Sequence, residues 1–245
     1  AVVISAAIKE TNPELIFARQ NGCKVYKYAE MLGAMMDQYQ GIAVCGTHGK
    51  STTSGWLSHL LTGAGKNPNF IVGADVAQLG DSSGTGTGKN FIAEACEYDR
   101  SFLNLHPKIA VILNIEQDHL DYYRDEDDIV DAFTDFACGV KNDGVVIANG
   151  QDRNVAALLK RLPEGQKTLT FGMDWNCDVS AHNIKLEKGL YRFDVYHGGQ
   201  MLGETKISLP GEHNIMNALA VITTAISVGI DPEIVLHLLD GFTGI

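Results

Sequence analysis

Short apolar runs alternate with segments of helical periodicity along most of the chain. The runs are the length of buried strands, and residues 50–61 and 129–136 carry apolar positions at helical spacing. Strands that alternate with helices predict an α/β fold with a doubly wound, mainly parallel sheet of the P-loop type. The predicted strands are residues 42–45, 70–73, 91–93, 109–113 and 144–148.

The pattern changes from about residue 168 onward. Three strands joined by tight turns predict a small antiparallel β ribbon at 179–186, 190–197 and 201–209. A helix rich in alanine is predicted at 213–228, and a last helix begins with Asp231 as its cap. The polar, glycine-rich stretch 80–88 is predicted to be a mobile loop.

The first 40 residues have an αβ pattern of their own. Asn12 caps a helix that has Pro13 at its first position. No glycine-rich first turn accompanies this pattern, so residues 1–40 are predicted to be the carboxyl-terminal part of a Rossmann-like substrate-binding domain. Residues 41–245 are then predicted to form a central nucleotide-binding domain.

Composition and charge argue against several classes of function. The formal net charge of −11 argues against binding nucleic acid or an anionic membrane through the overall field. No apolar run reaches the roughly 18 residues of a membrane span, and no secretory signal opens the sequence. Five widely spaced cysteines do not form a disulfide or zinc pattern. We expect a cytoplasmic protein.

A glycine-rich turn between a predicted strand and a predicted helix is the strongest candidate site. Gly46, Thr47, His48 and Gly49 form the turn, and Lys50 opens the helix. Backbone N–H groups of such a turn and the amino end of the helix bind anions, and the lysine adds a full charge. We therefore expect a polyphosphate, with a hydroxyl from Ser51 or Thr52 reaching a bridging Mg²⁺.

The match to a phosphate loop is incomplete. The first glycine of a standard loop would fall on Val44, so this is a shorter form of the motif. The alternative is an ordinary tight turn whose lysine is solvated. The strand before the turn and the helix after it favour the phosphate loop.

Acidic and histidine side chains follow two other predicted strands. Glu94 ends one of them, and His119 follows the next between Asp118 and Asp121. Carboxylate and imidazole groups can hold a divalent ion, although Mg²⁺ prefers oxygen. Glu97 and Asp99 are alternatives to Glu94 that the residues alone do not separate.

Asn214 and Asn217 lie three residues apart on one predicted helical face. One interpretation is a helix cap and a solvated amide. The other is a pair of amides that read the adenine edge, because an amide both donates and accepts.

Taken together, these motifs resemble those of the Mur ligases in order and spacing. The resemblance implies a fold, a reaction and site roles. It covers nearly the whole chain and is carried by residues 46–52, 93–99, 114–121 and 213–218.

The resemblance implies ATP and Mg²⁺ as cofactors and an acyl-phosphate mechanism. Lys50 would contact the phosphates, Ser51, Glu94 and His119 would serve the metal, and Asn214 and Asn217 would approach adenine. Lys50, Glu94 and His119 would be the catalytic groups. The spacing in the family favours Glu94 over Glu97.

Within the family, the alanine-adding branch is the most similar. The substrates implied are UDP-N-acetylmuramate and L-alanine, in peptidoglycan synthesis. Phe133 stands where several sister ligases carry a carbamylated lysine, and Cys96 stands where an acid is common. We expect a monomer or a weak homodimer.

Other functions stay open. A tripeptide-recycling ligase or a folylpolyglutamate synthetase shares the loop and the acid and histidine motifs. An ATP-dependent switch or binding module would use the loop without ligating.

Overall fold

The computed structural model describes residues 1–5, 7–119 and 122–245. The chain folds into an α/β structure with twelve strands and seven α-helices in this part. The strands are β1 (Val2–Ile4), β2 (Val25–Lys27), β3 (Gln40–Cys45), β4 (Asn69–Val76), β5 (Asp81–Gly84), β6 (Asn90–Glu94), β7 (Ile109–Ile112), β8 (Val145–Asn149), β9 (Lys167–Gly172), β10 (Val179–Glu187), β11 (Leu190–His197) and β12 (Gln200–Lys206). The helices are α1 (Pro13–Gln20), α2 (Tyr28–Met36), α3 (Lys50–Gly63), α4 (Glu126–Cys138), α5 (Arg153–Leu159), α6 (His213–Ser227) and α7 (Pro232–Leu238).

A ten-stranded sheet forms the main body. Its order is β12-β11-β10-β9-β8-β7-β3-β6-β4-β5. The strands from β10 through β4 in this order pair in parallel, and the outer strands at both sides pair antiparallel. The predicted mainly parallel sheet is confirmed, and the ribbon β10–β12 continues it through the pairing of β10 with β9.

Helices cover both faces of the sheet. Side chains of α3, α6 and α7 pack in the hydrophobic core on one face, and those of α2, α4 and α5 pack on the other. Burial on both faces explains why the central strands read as continuous apolar runs. The carboxyl ends of β3, β6, β7 and β8 meet at one edge, where ligands bind in doubly wound sheets.

Three local expectations were wrong or incomplete. Residues 81–84 form β5, antiparallel to β4, where the composition predicted a mobile loop. Backbone pairing with β4 outweighs the low strand propensity of these small polar residues. The last ribbon strand ends at Lys206 rather than at residue 209. The sequence pattern also did not reveal β9 and α5.

Two short strands within the first 40 residues form a small sheet of their own. β1 and β2 pair in parallel, separately from the ten strands of the main sheet. Asn12 caps α1 as predicted, because its side chain accepts from the backbone N–H groups of Glu14 and Leu15. Lys27, at the start of α2, lies 3.7 Å from a carboxylate oxygen of Asp99 in the main body.

Among the described residues, no helix has both the length and the apolar character needed to cross a membrane.

Candidate functional site

The loop between β3 and α3 has the backbone shape of an anion cradle. Gly46 has a φ of 145° and Gly49 a φ of 85°, values that favour glycine. A Cβ on Gly49 would lie 2.6 Å from Oδ1 of Asn217, so the helix α6 leaves no room for a side chain there. Gly49 is also the residue before the first turn of α3, so the free N–H groups of that turn face the loop.

Asn114, at the carboxyl end of β7, clamps this loop. Its Oδ1 accepts from the N–H of His48 at 2.7 Å, and its Nδ2 donates to the carbonyl of His48 at 3.0 Å. Its own carbonyl accepts from the N–H of Thr47 at 3.1 Å. The loop is therefore held on both sides of its backbone. Asn114 belongs to the motif at residues 114–121, but its role as a clamp could not be predicted from the sequence.

Lys50 lies inside the loop and is mostly buried. Its Nζ donates to the carbonyls of Gly46 and Thr47 at 2.6 and 3.2 Å. It also lies 2.9 Å from Oε1 of Glu97, whose side chain is 3% exposed. The alternative of a solvated lysine on an ordinary turn is wrong, because the Lys50 side chain is only 15% exposed.

Ser51 and Glu94 meet beside the loop. The Ser51 hydroxyl donates to Oε2 of Glu94 at 2.9 Å, and the backbone N–H of Gly73 donates to the same oxygen at 2.8 Å. The first turn of α3 and the end of β6 bring these groups together, which gives two oxygen ligands of the kind that Mg²⁺ prefers. Thr52 lies in the same first turn and is half-buried.

His119 lies beside Glu97, whereas Glu94 pairs with Ser51. Its Nε2 is 3.7 Å from Oε1 of Glu97 and 3.8 Å from Oδ2 of Asp118. One ligand atom from each of these three side chains fits within 4.8 Å of the others, which is a metal-sized group. Asp121 lies outside the described residues.

A cavity of about 420 Å³ adjoins the loop on the side of α6. Apolar side chains and amides share its lining, which suits a flat heteroaromatic ring. Its lining includes His48, Gly49, Asn114, Phe171, Met216 and Asn217.

Asn217 and Asn214 differ in their relation to this cavity. Asn217 lines the cavity, whereas Asn214 is not one of the described residues that do. Nδ2 of Asn217 donates to Oδ1 of Asn214 at 2.9 Å, and Nδ2 of Asn214 donates to the carbonyl of Pro210 at 2.7 Å. Asn214 therefore fixes the amide of Asn217.

A second cavity, of about 260 Å³, lies between α2 and the segment that follows β6. Tyr28, Glu94 and Cys96 are part of its lining. Burial raises the pKa of Tyr28, and the negative charge of Glu94 raises it further. Partial desolvation raises the pKa of the Cys96 thiol although the residue is exposed, so the thiol stays mostly protonated. Glu94 thus lines this cavity and also contacts Ser51 beside the loop.

Phe133 is completely buried in α4. Its ring packs edge-on against Phe102 with the centroids 5.1 Å apart. The position is therefore part of the hydrophobic core.

Family models match most of the chain. The Mur ligase middle domain matches residues 44–225, and a model described as the catalytic domain of the Mur ligase family matches residues 1–40. UDP-N-acetylmuramate–L-alanine ligases from Caldicellulosiruptor saccharolyticus and Clostridium tetani are 41% and 40% identical over 245 residues, which is 99% of this chain and 53% of each relative. The chain thus spans about half the length of these curated relatives.

Solved structures show the same fold. UDP-N-acetylmuramate:L-alanyl-gamma-D-glutamyl-meso-diaminopimelate ligase from Neisseria meningitides is 27% identical, with a TM-score of 0.87 over 100% of this chain and 80% of that one. UDP-N-acetylmuramate-alanine ligase from Thermotoga maritima is 26% identical, with a TM-score of 0.84 over 100% of this chain and 55% of that one. The resemblance expected from the four motifs is confirmed, and the chain belongs to the Mur ligase family.

Proposed function

We propose that this chain is the nucleotide-binding core of an ATP-dependent ligase that joins L-alanine to the carboxylate of UDP-N-acetylmuramate. One observation carries the proposal. A glycine loop with a buried lysine lies directly beside a serine–glutamate pair at the carboxyl edge of the sheet. The names of the curated relatives support the choice of substrates.

ATP fits this arrangement in one orientation. The triphosphate lies against residues 46–52, where backbone N–H groups, the first turn of α3 and Lys50 supply positive potential. The adenine then reaches the cavity beside Gly49, and Asn217 offers its amide to the base edge. Asn214 orients that amide.

The residues present fit Mg²⁺. The Ser51 hydroxyl and the Glu94 carboxylate supply oxygen, and Glu97, Asp118 and His119 form a second group of candidate ligands close by. When bound, Mg²⁺ would neutralise charge on the phosphates, which is its usual contribution to phosphoryl transfer.

The reaction follows from ordinary acyl-transfer chemistry. An oxygen of the substrate carboxylate attacks the γ-phosphorus of ATP, which forms an acyl phosphate and releases ADP. The amine of L-alanine then attacks the acyl carbon, phosphate leaves, the amine loses a proton, and an amide remains. Lys50 holds the phosphate groups and stabilises the charge on them during transfer. Glu94 lines the second cavity and contacts Ser51 at the loop, so it would lie between ATP and the carboxylate substrate.

Residues 1–40 are proposed to belong to the domain that binds the UDP-linked substrate, and residues 41–245 to the central ATP-binding domain. The position of the second cavity between α2 and the end of β6 supports this division. A reaction that consumes ATP and a UDP-linked sugar acid belongs in the cytoplasm.

A ligation assay tests this function. The full-length protein is given ATP, Mg²⁺ and UDP-N-acetylmuramate, with and without L-alanine, and release of ADP and phosphate is followed. We expect release to need both substrates and the product to contain one alanine. Release that needs neither substrate would indicate a nucleotide-dependent switch instead.

A tripeptide-adding ligase is the second candidate. The structural similarity to the Neisseria tripeptide ligase, with a TM-score of 0.87, supports this second candidate. The same assay separates the two, since L-alanine and the tripeptide L-alanyl-γ-D-glutamyl-meso-diaminopimelate are offered in turn. We expect L-alanine to be preferred.

A further inference from the structure

Glu97 is a buried carboxylate that belongs to the metal-sized group with Asp118 and His119 and also lies beside the lysine of the loop. Its Oε1 lies 2.9 Å from Nζ of Lys50. Its Oε2 is buried and has no hydrogen-bond partner among the described residues. A buried carboxylate is costly unless it is paired, so Lys50 is its counter-ion.

The backbone of Glu97 is fixed by two donors. The Tyr123 hydroxyl and the N–H of Arg100 both donate to its carbonyl, the latter at 3.0 Å. Tyr123 is itself buried at 2% exposure. Glu97 is therefore held where it is, and its carboxylate stays beside the phosphate loop.

Lys50 has no donor to spare. An ammonium group has three N–H bonds, and those of Lys50 serve Gly46, Thr47 and Glu97. A triphosphate in the loop must compete with the Glu97 carboxylate for this ammonium. The negative charge of the triphosphate would also be repelled by the carboxylates of Glu97 and Asp118. This repulsion is stronger because the site is partly withdrawn from water.

From these contacts, and resting on the proposed function, we infer that Glu97 is a positioning residue that makes nucleotide binding depend on a divalent cation. Its charge cancels that of Lys50, so the loop by itself attracts a triphosphate weakly. A divalent cation supplies the missing positive charge. The same carboxylate holds Lys50 inside the loop and so sets the place of the ammonium.

The test measures ATP binding to the 245-residue chain by calorimetry, once in EDTA and once in Mg²⁺. The Glu97→Gln variant keeps the shape of the side chain and removes its charge. We expect it to bind ATP in EDTA about tenfold more tightly than the wild type, which corresponds to ~1.4 kcal/mol. Its gain in affinity on adding Mg²⁺ should shrink.

Two control variants isolate the local charge. Glu97→Asp keeps the carboxylate and should retain the metal dependence of the wild type. Asp143→Asn makes the same change in net charge at an exposed residue on the opposite edge of the sheet, where Asp143 pairs with Lys108. It should leave ATP binding in EDTA unchanged.

A purely structural role for Glu97 makes the opposite prediction. Loss of the Lys50 contact would then weaken ATP binding in EDTA and in Mg²⁺ alike. Affinity in EDTA that is unchanged or lower in Glu97→Gln would overturn the inference. If the Gln variant does not give the circular dichroism spectrum of the wild type, Glu97→Ala carries the same test.

Failure of the proposed function has a different signature. A wild-type chain that binds no ATP even with Mg²⁺ would overturn the assignment of the loop, and the inference with it. A wild type that binds ATP only with Mg²⁺, beside a Gln variant that does the same, would overturn the inference alone.

Discussion

The Ser51 hydroxyl donates a 2.9 Å hydrogen bond to Oε2 of Glu94. The two residues are 43 positions apart in sequence, and they meet because α3 begins beside the end of β6. This pairing places a hydroxyl and a carboxylate at the mouth of the proposed phosphate loop. The proposed metal site and the proposed phosphate site are therefore one connected structure.

Removing either partner of this pair should weaken metal-assisted nucleotide binding. We expect Ser51→Ala and Glu94→Gln each to raise the Mg²⁺ concentration needed for half-maximal ATP binding by about tenfold, since each loses an oxygen ligand or its charge. Titration of Mg²⁺ at fixed ATP measures this. An unchanged midpoint in both variants would remove the pair from the metal site.

Lys50→Ala should abolish binding of ATP with Mg²⁺, or weaken it by about a hundredfold or more, since charge-assisted contacts to the phosphates are lost. Calorimetry measures the affinity. Lys66→Ala, just beyond the other end of α3, is the matched control and should bind ATP as the wild type does. Equal affinity in the two variants would reject the loop as the phosphate site.

Two substitutions at His119 can distinguish the effect of its backbone conformation from the effect of losing a metal ligand. Its φ is 52°, a conformation that asparagine tolerates better than alanine. We expect His119→Ala to raise the Mg²⁺ requirement by about tenfold. His119→Asn should raise it less, because asparagine offers an amide oxygen in place of the imidazole nitrogen and suits the backbone. If the metal titration is unaltered in both variants, His119 is not a ligand.

Gly49→Ala should be more damaging than its backbone angle alone explains. A positive φ costs a non-glycine residue ~1–3 kcal/mol, and the new Cβ would also lie 2.6 Å from Oδ1 of Asn217. Gly65→Ala is the matched control, because its φ is 71° with nothing within 4 Å of a Cβ.

Urea unfolding separates these two glycine variants. We expect the free energy of unfolding of both variants to fall by the cost of the positive φ. That of Gly49→Ala should fall further, and this variant should also bind ATP poorly. Equal losses of unfolding free energy would show that α6 does not press on the loop.

The local motifs could be predicted from sequence because each depends on neighbours in the chain. The loop, its lysine and the cap at Asn12 follow from turn chemistry, from helix-start rules and from the strand before the loop. The order of parallel strands then brings their carboxyl ends together, so Glu94 was expected near the loop.

The partners of Lys50 and His119 could not be predicted in the same way. Glu94 and Glu97 both follow one strand, and the choice between them depends on the irregular backbone that comes next, where Asp99 and Arg100 have φ values of 53° and 50°. Family spacing favoured Glu94, yet the structure places the two acids on different partners, Ser51 and Lys50. The role of Asn114 was likewise hidden, because its contacts join segments 66 residues apart.

A crystal structure of the chain with Mn²⁺ in place of Mg²⁺ and a non-hydrolysable ATP analogue is the most direct test. We predict an anomalous Mn²⁺ peak between the γ-phosphate and the Ser51–Glu94 pair, with the base in the cavity beside Asn217. A nucleotide bound elsewhere, or a metal far from both Glu94 and His119, would contradict the account.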